Sequence, residues 1–198
     1  MSHKNMCGTI PLCVFIFPVV SHYLINQMSL LRLLILRCSG HVHIKKVNLD
    51  QWGVFTSRPY TQGSVVISSN LLPTNSNLVN EKSNPSTTSC SHSIQTNWSE
   101  HILMDLPARF LNHSCEPNSS VAKDLNENQS YDFIALRDIN MGEEVRFDYE
   151  TTEYEVGAFE DCACSVDSCR GTIKGFKHNR DVILEKYDET NIAGYLTN

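Results

Sequence analysis

Asn112-His-Ser-Cys-Glu-Pro-Asn118 is the run on which the reading of this chain turns. It packs two asparagines, a histidine, a thiol and a chain-stiffening proline into one short stretch. Pro117 disfavours helical geometry at Glu116, so the run reads as an ordered, non-helical turn. Leu106-Pro-Ala-Arg-Phe-Leu111, just before it, reads as a short helix with Pro107 in the tolerated first turn. Three distant segments make sense in relation to this turn. They are Trp52-Gly-Val-Phe55, Gly142-Glu-Glu-Val-Arg-Phe-Asp-Tyr149, and Cys162-Ala-Cys164 with Cys169.

Asn112 to Asn118 followed by Gly142 to Tyr149 resembles the SET domain of protein-lysine methyltransferases. Cys162-Ala-Cys164-Ser-Val-Asp-Ser-Cys169-Arg-Gly171 is similar to the zinc-binding tail that follows many of these domains. The resemblance covers residues 41 to 178, and three motifs in the right order are hard to meet by chance. It implies a mostly β fold with short helices, the β-clip arrangement of small sheets, followed by a zinc-bound post-SET segment. The chain then divides into a hydrophobic N-terminal segment (1–40), a SET domain (41–150) with a variable loop at 70–93, a post-SET segment (151–178) and a C-terminal tail (179–198). The activity implied is S-adenosylmethionine-dependent methylation of protein lysine, capable of di- or trimethylation, with histone tails among the substrates. The competing class is a non-catalytic SET module that binds a peptide or partner and keeps zinc only as a staple.

Upstream, residues 41 to 69 read as strands with turn punctuation. Val42, Ile44 and Val47 precede the Asp50-Gln-Trp-Gly53 turn, Val54-Phe55 opens a second strand, and Thr61-Gln-Gly63 turns the chain into Ser64-Val-Val-Ile-Ser68. By itself Asp50 to Gly53 is a plain hairpin turn. The family carries a Gly-x-Gly turn here, whose backbone approaches the methionine end of S-adenosylmethionine. In this chain Gln51 stands at the first glycine, and Trp52 and Gly53 are retained as cofactor-binding candidates. Residues 70 to 93, rich in Ser, Asn, Thr and Pro, read as a mobile loop. Cys90 and His92 within it are a weak metal signal. Ser93 to Asp105 reads as two short strands joined through Asn97 to Glu100.

Downstream, Tyr131 to Arg137 is a strand candidate, closed by Asp138 to Gly142. If Glu143 to Tyr149 is extended, alternation puts Val145, Phe147 and Tyr149 on one face and Arg146 and Asp148 on the other. As core packing that face is ordinary. With Asn112 and His113 beside it, it becomes one wall of a narrow channel. The resemblance assigns Tyr149 a hydroxyl at the reaction centre, Phe147 control over the degree of methylation, and Asn112 and His113 contacts to the cofactor. Taken alone, Asn112 could cap a turn and His113 could be a satisfied buried histidine. Asn112-His-Ser114 is also a glycosylation sequon, as are those at Asn97, Asn118 and Asn128, and a glycan on Asn112 would exclude the cofactor.

Eight cysteines are present. Cys7, Cys13, Cys38 and Cys90 are scattered, whereas Cys162, Cys164 and Cys169 have Cys-x-Cys-x4-Cys spacing. Three thiolates leave tetrahedral zinc one ligand short. The resemblance implies that Cys115 is the fourth, which ties the tail over the cofactor pocket. Disulfide pairing of the same four is the alternative in an oxidising compartment.

Acidic residues are absent before Asp50, so the remainder carries 11 of the 16 basic residues against all 22 acidic ones. That balance opposes nucleic-acid binding and suits a lysine-rich peptide, although acidity also serves solubility. Ile10 to Ile25 and Leu30 to Arg37 are oily. A targeting segment, a membrane anchor and sequence outside any folded domain are three open readings of residues 1–40, although Pro11, Pro18, Asn26 and Gln27 break a clean span. Membrane association would come only through this segment. Otherwise the expected location is intracellular, nuclear or cytoplasmic, with a monomer as the default state. Asp181 to Tyr187 reads as one or two amphipathic turns that need docking to form.

Overall fold

Alternating burial marks some of the strands of this protein. The computed structural model describes residues 40–49, 51–72, 92–157 and 161–198. Residues 1–39, most of the 70–93 loop, and Cys7, Cys13, Cys38 and Cys90 lie outside the described residues, and with them the readings made there. Nine short strands carry the described fold: β1 (Val42–Lys46), β2 (Trp52–Thr56), β3 (Val65–Ser68), β4 (Ser93–Asn97), β5 (Glu100–Leu103), β6 (Asn112–His113), β7 (Ser119–Val121), β8 (Asp132–Ala135) and β9 (Glu144–Phe147). In β8 and β9 every second side chain is buried, which brings Phe133, Ala135, Val145 and Phe147 inward. Each large apolar side chain buried in this way contributes roughly 1.5–3 kcal/mol.

The strands form three small sheets, ordered β1-β2-β9-β6, β3-β8-β7 and β4-β5. All pairings are antiparallel except β6 with β9, which run parallel with Asn112 opposite Arg146 and His113 opposite Phe147. A parallel pair needs a long crossover. The chain supplies it through β7 and β8, which return as a separate sheet. The fold is therefore mostly β with short helices. Among the described residues no helix is long and apolar enough to cross a membrane.

Several local expectations change. The helix read over Leu106–Leu111 is one 3-10 turn, Ala108–Phe110, with Pro107 as its N-cap rather than in its first turn. It stops there because Leu111 is extended and leads straight into β6. The Asn112–Asn118 run is non-helical, but its first two residues form β6 rather than a free turn. The tail helix is longer than read. Helix α1 spans Phe176–Lys186 and breaks at Asn179 (φ −123°, ψ 22°), with Ile183 buried and Tyr187 already extended. A final short helix, α2, spans Gly194–Thr197.

Candidate active site and metal centre

Asn112 organises one side of the site. Its Nδ2 donates to the Trp52 carbonyl at 2.8 Å and to Glu144 Oε1 at 2.7 Å, and its Oδ1 accepts from Gln51 Nε2 at 3.1 Å. One amide thus joins the β1–β2 turn to β9. Gln51, at the departed glycine position, is absorbed into this network. Gly53 keeps the approach open: a Cβ there would lie 2.3 Å from Glu144 Oε1 and 3.1 Å from Asn112 Nδ2. Trp52 meets Asn112 through its carbonyl, while the residue is 42% exposed and the Lys46 ammonium lies over its indole. Asn118 supports the same strand, donating to the Glu144 carbonyl at 2.8 Å and accepting from the Arg146 N–H at 3.0 Å. With their amides so engaged, neither Asn112 nor Asn118 suits glycosylation in the folded chain.

His113 lies between the aromatic wall and the cysteines. Its Nδ1 accepts the Tyr149 backbone N–H at 3.1 Å, which places the ring proton on Nε2, 3.3 Å from Cys115 Sγ. Burial lowers the His113 pKa to about 4. Asp148 opposes that shift, and the charges of Arg170, Lys186 and Arg146 reinforce it. The ring is neutral, and both its nitrogens have partners inside the protein. Any bond from His113 to a cofactor therefore falls to its backbone.

Tyr149 departs from the expected extended strand. β9 ends at Phe147, and Tyr149 opens a 3-10 turn, Tyr149–Thr151, capped by the Asp148 carboxylate, which accepts the Glu150 N–H at 3.2 Å. The Tyr149 ring still joins the Phe147 face. Ring centroids are 4.9 Å apart for Phe147–Tyr149, 5.2 Å for Phe133–Phe147 and 5.3 Å for His113–Tyr149. The Tyr149 hydroxyl donates to the Leu111 carbonyl at 2.8 Å. Burial, with help from Glu153 and Glu144, pushes its pKa well above the usual phenol range, so the group is a hydroxyl at neutral pH. Phe133, unassigned in the sequence, completes the wall from β8.

The four cysteines Cys115, Cys162, Cys164 and Cys169 bring their sulfurs within 4.8 Å of one another. All four are free thiols, and Cys115 Sγ lies 3.8 Å from Cys162 Sγ. A disulfide needs ~2.05 Å. A tetrahedron with ~2.3 Å zinc–sulfur bonds has edges of about 3.8 Å. The donor set therefore fits zinc. Backbone N–H groups of Arg170 and Gly171 donate to Cys115 and Cys169 sulfurs, each at 3.4 Å, as thiolates require. Burial raises the Cys115 thiol to about 11. For Cys164 burial pushes the same way, but hydrogen bonds from the Cys115 and Val166 backbones and from the Cys162 and Cys169 thiols bring it down to about 6.

Asp148, on the face that alternation sets opposite Phe147, has a fully buried side chain, because the tail folds over it. Arg170 forks onto it, Nη1 to Oδ2 at 2.8 Å and Nη2 to Oδ1 at 2.6 Å, and the Tyr187 hydroxyl donates to Oδ2 at 3.0 Å. Glu150, equally buried, accepts the N–H groups of Lys174 at 2.7 Å and Gly175 at 3.0 Å and both bonds of the Asn179 amide. Pulled toward Glu150, Asn179 leaves helical geometry. Two acids beside Tyr149 and an Arg beside Cys169 were the available signal.

The SET domain family model matches residues 51–150. The chain is 37% identical over 78 residues to the histone-lysine N-methyltransferase ASHH2 of Arabidopsis thaliana, covering 39% of this chain and 4% of that one. It is 38% identical over 68 residues to the H3 lysine-36 specific histone-lysine N-methyltransferase of Mycosarcoma maydis, covering 34% of this chain and 7% of that one. The chain thus matches only a small part of each relative's length. Among solved structures, the methyltransferase domain of human histone-lysine N-methyltransferase SETMAR is similar with a TM-score of 0.48 at 19% identity, over 68% of this chain and 58% of that one.

Proposed function

The chain belongs to the SET-domain family, and on that premise we propose that it is an S-adenosylmethionine-dependent protein-lysine N-methyltransferase. The observation that carries this reading is the parallel pairing of Asn112 and His113 with Arg146 and Phe147, which sets the cofactor motif against the aromatic wall of Phe147 and Tyr149. The names of the relatives supply the substrate class: a lysine on a histone tail, with a nuclear location following from it. The acidic balance of the body suits such a basic peptide.

S-adenosylmethionine, when bound, supplies an electrophilic methyl group on a sulfonium. The chain's own work is positioning and desolvation. Gly53 and the Asn112 amide shape the cofactor side, with Trp52, His113 and Tyr149 completing that group. Phe147 and Tyr149 wall the lysine side, where an apolar surround disfavours the ammonium and favours the neutral, nucleophilic amine. Tyr149 Oη, held by the Leu111 carbonyl, stays protonated and fixed rather than acting as a base. Fixed geometry of this kind is the main lever on an in-line displacement. Zinc held by Cys115, Cys162, Cys164 and Cys169 acts as a structural staple. Phe147 brings no hydroxyl to the wall, which favours di- and trimethylated products.

Calorimetric titration of the full, zinc-loaded chain with S-adenosylmethionine and its demethylated product, followed by mass spectrometry of incubated recombinant histones, tests the proposal. Saturable cofactor binding and a lysine-methylated histone peptide are expected. Absence of binding to either compound would make the chain a non-catalytic scaffold.

A further inference from the structure

Arg170 follows the last cysteine of the cluster, so its place is tied to that of the four thiols. Its backbone N–H donates to Cys115 Sγ at 3.4 Å. Its guanidinium reaches the other way, to both oxygens of Asp148 and to Glu150 Oε2 at 3.0 Å. Asp148 and Glu150 are the residues on either side of Tyr149. Their side chains are 0% exposed, and that of Arg170 is 14% exposed. Two buried carboxylates with one cation between them depend strongly on that cation, because an unpaired buried charge is costly. The planar fork of arginine also fixes direction, which a lysine ammonium cannot do. Gly175 adds a second restraint. It sits at φ 101°, and a Cβ there would meet the Tyr154 carbonyl oxygen at 2.6 Å, so the tail is pressed against the segment after the tyrosine turn.

We propose that Arg170 is a positioning residue that makes the placement of Tyr149 depend on occupancy of the four-cysteine centre. The inference rests on the methyltransferase reading for its functional meaning, but its geometry is independent of it. When the thiolates are gathered around a metal, Arg170 is brought over the tyrosine turn and pairs with both acids that flank Tyr149. When they are released, the guanidinium is withdrawn and the turn is left with two buried carboxylates. The His113 ring makes a parallel connection from Cys115 to the Tyr149 N–H. A test must therefore separate the two routes.

The full chain is labelled with fluorotyrosine, the Tyr149 resonance is assigned with Tyr149→Phe, and fluorine spectra are recorded with zinc bound and after chelation. In the unmodified chain the resonance should move on chelation. In Arg170→Met, with four thiolates intact, zinc content should remain one per chain, yet the resonance should already sit near its metal-free position and move less than a third as far. Affinity for S-adenosylhomocysteine should fall at least tenfold, and Arg170→Lys should recover only part of it. If Arg170→Met fails to fold, the combination Arg170→Met, Asp148→Asn, Glu150→Gln, which removes both buried carboxylates along with the guanidinium, takes its place, and its Tyr149 resonance should likewise lose most of its zinc dependence. A resonance that keeps its zinc dependence in these variants would overturn the proposal and assign the coupling to His113. A chain that shows the Tyr149 effects but binds no S-adenosylhomocysteine would instead refute the methyltransferase reading alone.

Discussion

The Tyr149 backbone N–H donates to His113 Nδ1 at 3.1 Å, and the opposite nitrogen of that ring lies 3.3 Å from Cys115 Sγ. One neutral imidazole therefore holds the tyrosine turn and borders the cysteine centre. His113→Leu keeps the bulk but removes the hydrogen bond to the Tyr149 N–H, at a cost of about 1 kcal/mol. Urea unfolding should show that loss, and turnover should drop along with it. Unchanged turnover in a folded His113→Leu chain would remove His113 from the site.

Cys115 is shared between the central motif and the tail. Cys115→Ser should lower zinc content below one per chain and weaken cofactor affinity in the same preparation, since one sulfur connects both. Metal analysis beside calorimetry reads the two together. Full cofactor affinity in a chelated sample would break the link.

Tyr149→Phe deletes a hydroxyl whose partner is the Leu111 carbonyl, leaving the ring stack with Phe147 and His113 intact. Losing one such hydrogen bond should cost about 1 kcal/mol of stability, while turnover falls by on the order of 10². Steady-state rates on a validated histone peptide decide it. Wild-type rates would mean that the hydroxyl plays no part.

Phe147 is 4% exposed and packs between Phe133 and Tyr149. Phe147→Tyr brings a hydroxyl that can hold an ordered water beside the lysine amine, in the space an attached methyl group would take. The product should shift toward monomethyl-lysine. A difference of ~1.4 kcal/mol changes the rate ratio tenfold, so a small perturbation suffices. Mass spectrometry at long reaction times checks it, and a wild-type chain that stalls at monomethyl-lysine would contradict it.

Much of the site was legible because its motifs are local. Asn112, His113 and Cys115 lie within four residues, Phe147 and Tyr149 within three, and the remaining thiols within eight. Spacing of that kind survives without knowledge of the fold. The mostly β character was legible too, because alternation in Tyr131–Arg137 and Glu143–Phe147 reports burial on one face. Helix ends were less so: Asn179 breaks α1 through a carboxylate 29 positions away.

By itself the sequence determined most of the strands, three of the four cysteines and the aromatic pair, since short-range patterning carries strand period, turn chemistry and ligand spacing, while Cys115 joined the set through the family resemblance. Only the tertiary structure decided what covers them. Asp148 alternates onto the face opposite Phe147, and Arg170, Tyr187 and the tail close over that face and make it interior. His113 alone reads as a buried histidine with unknown partners, and the fold supplies the Tyr149 N–H and Cys115. Gln51 reads as a lost glycine, yet it bonds Asn112. Apart from Cys115, two positions from His113, each of these partners lies more than twenty positions away in the chain. Alternation along one strand tells which side faces its own sheet, and not which segment returns to bury the other.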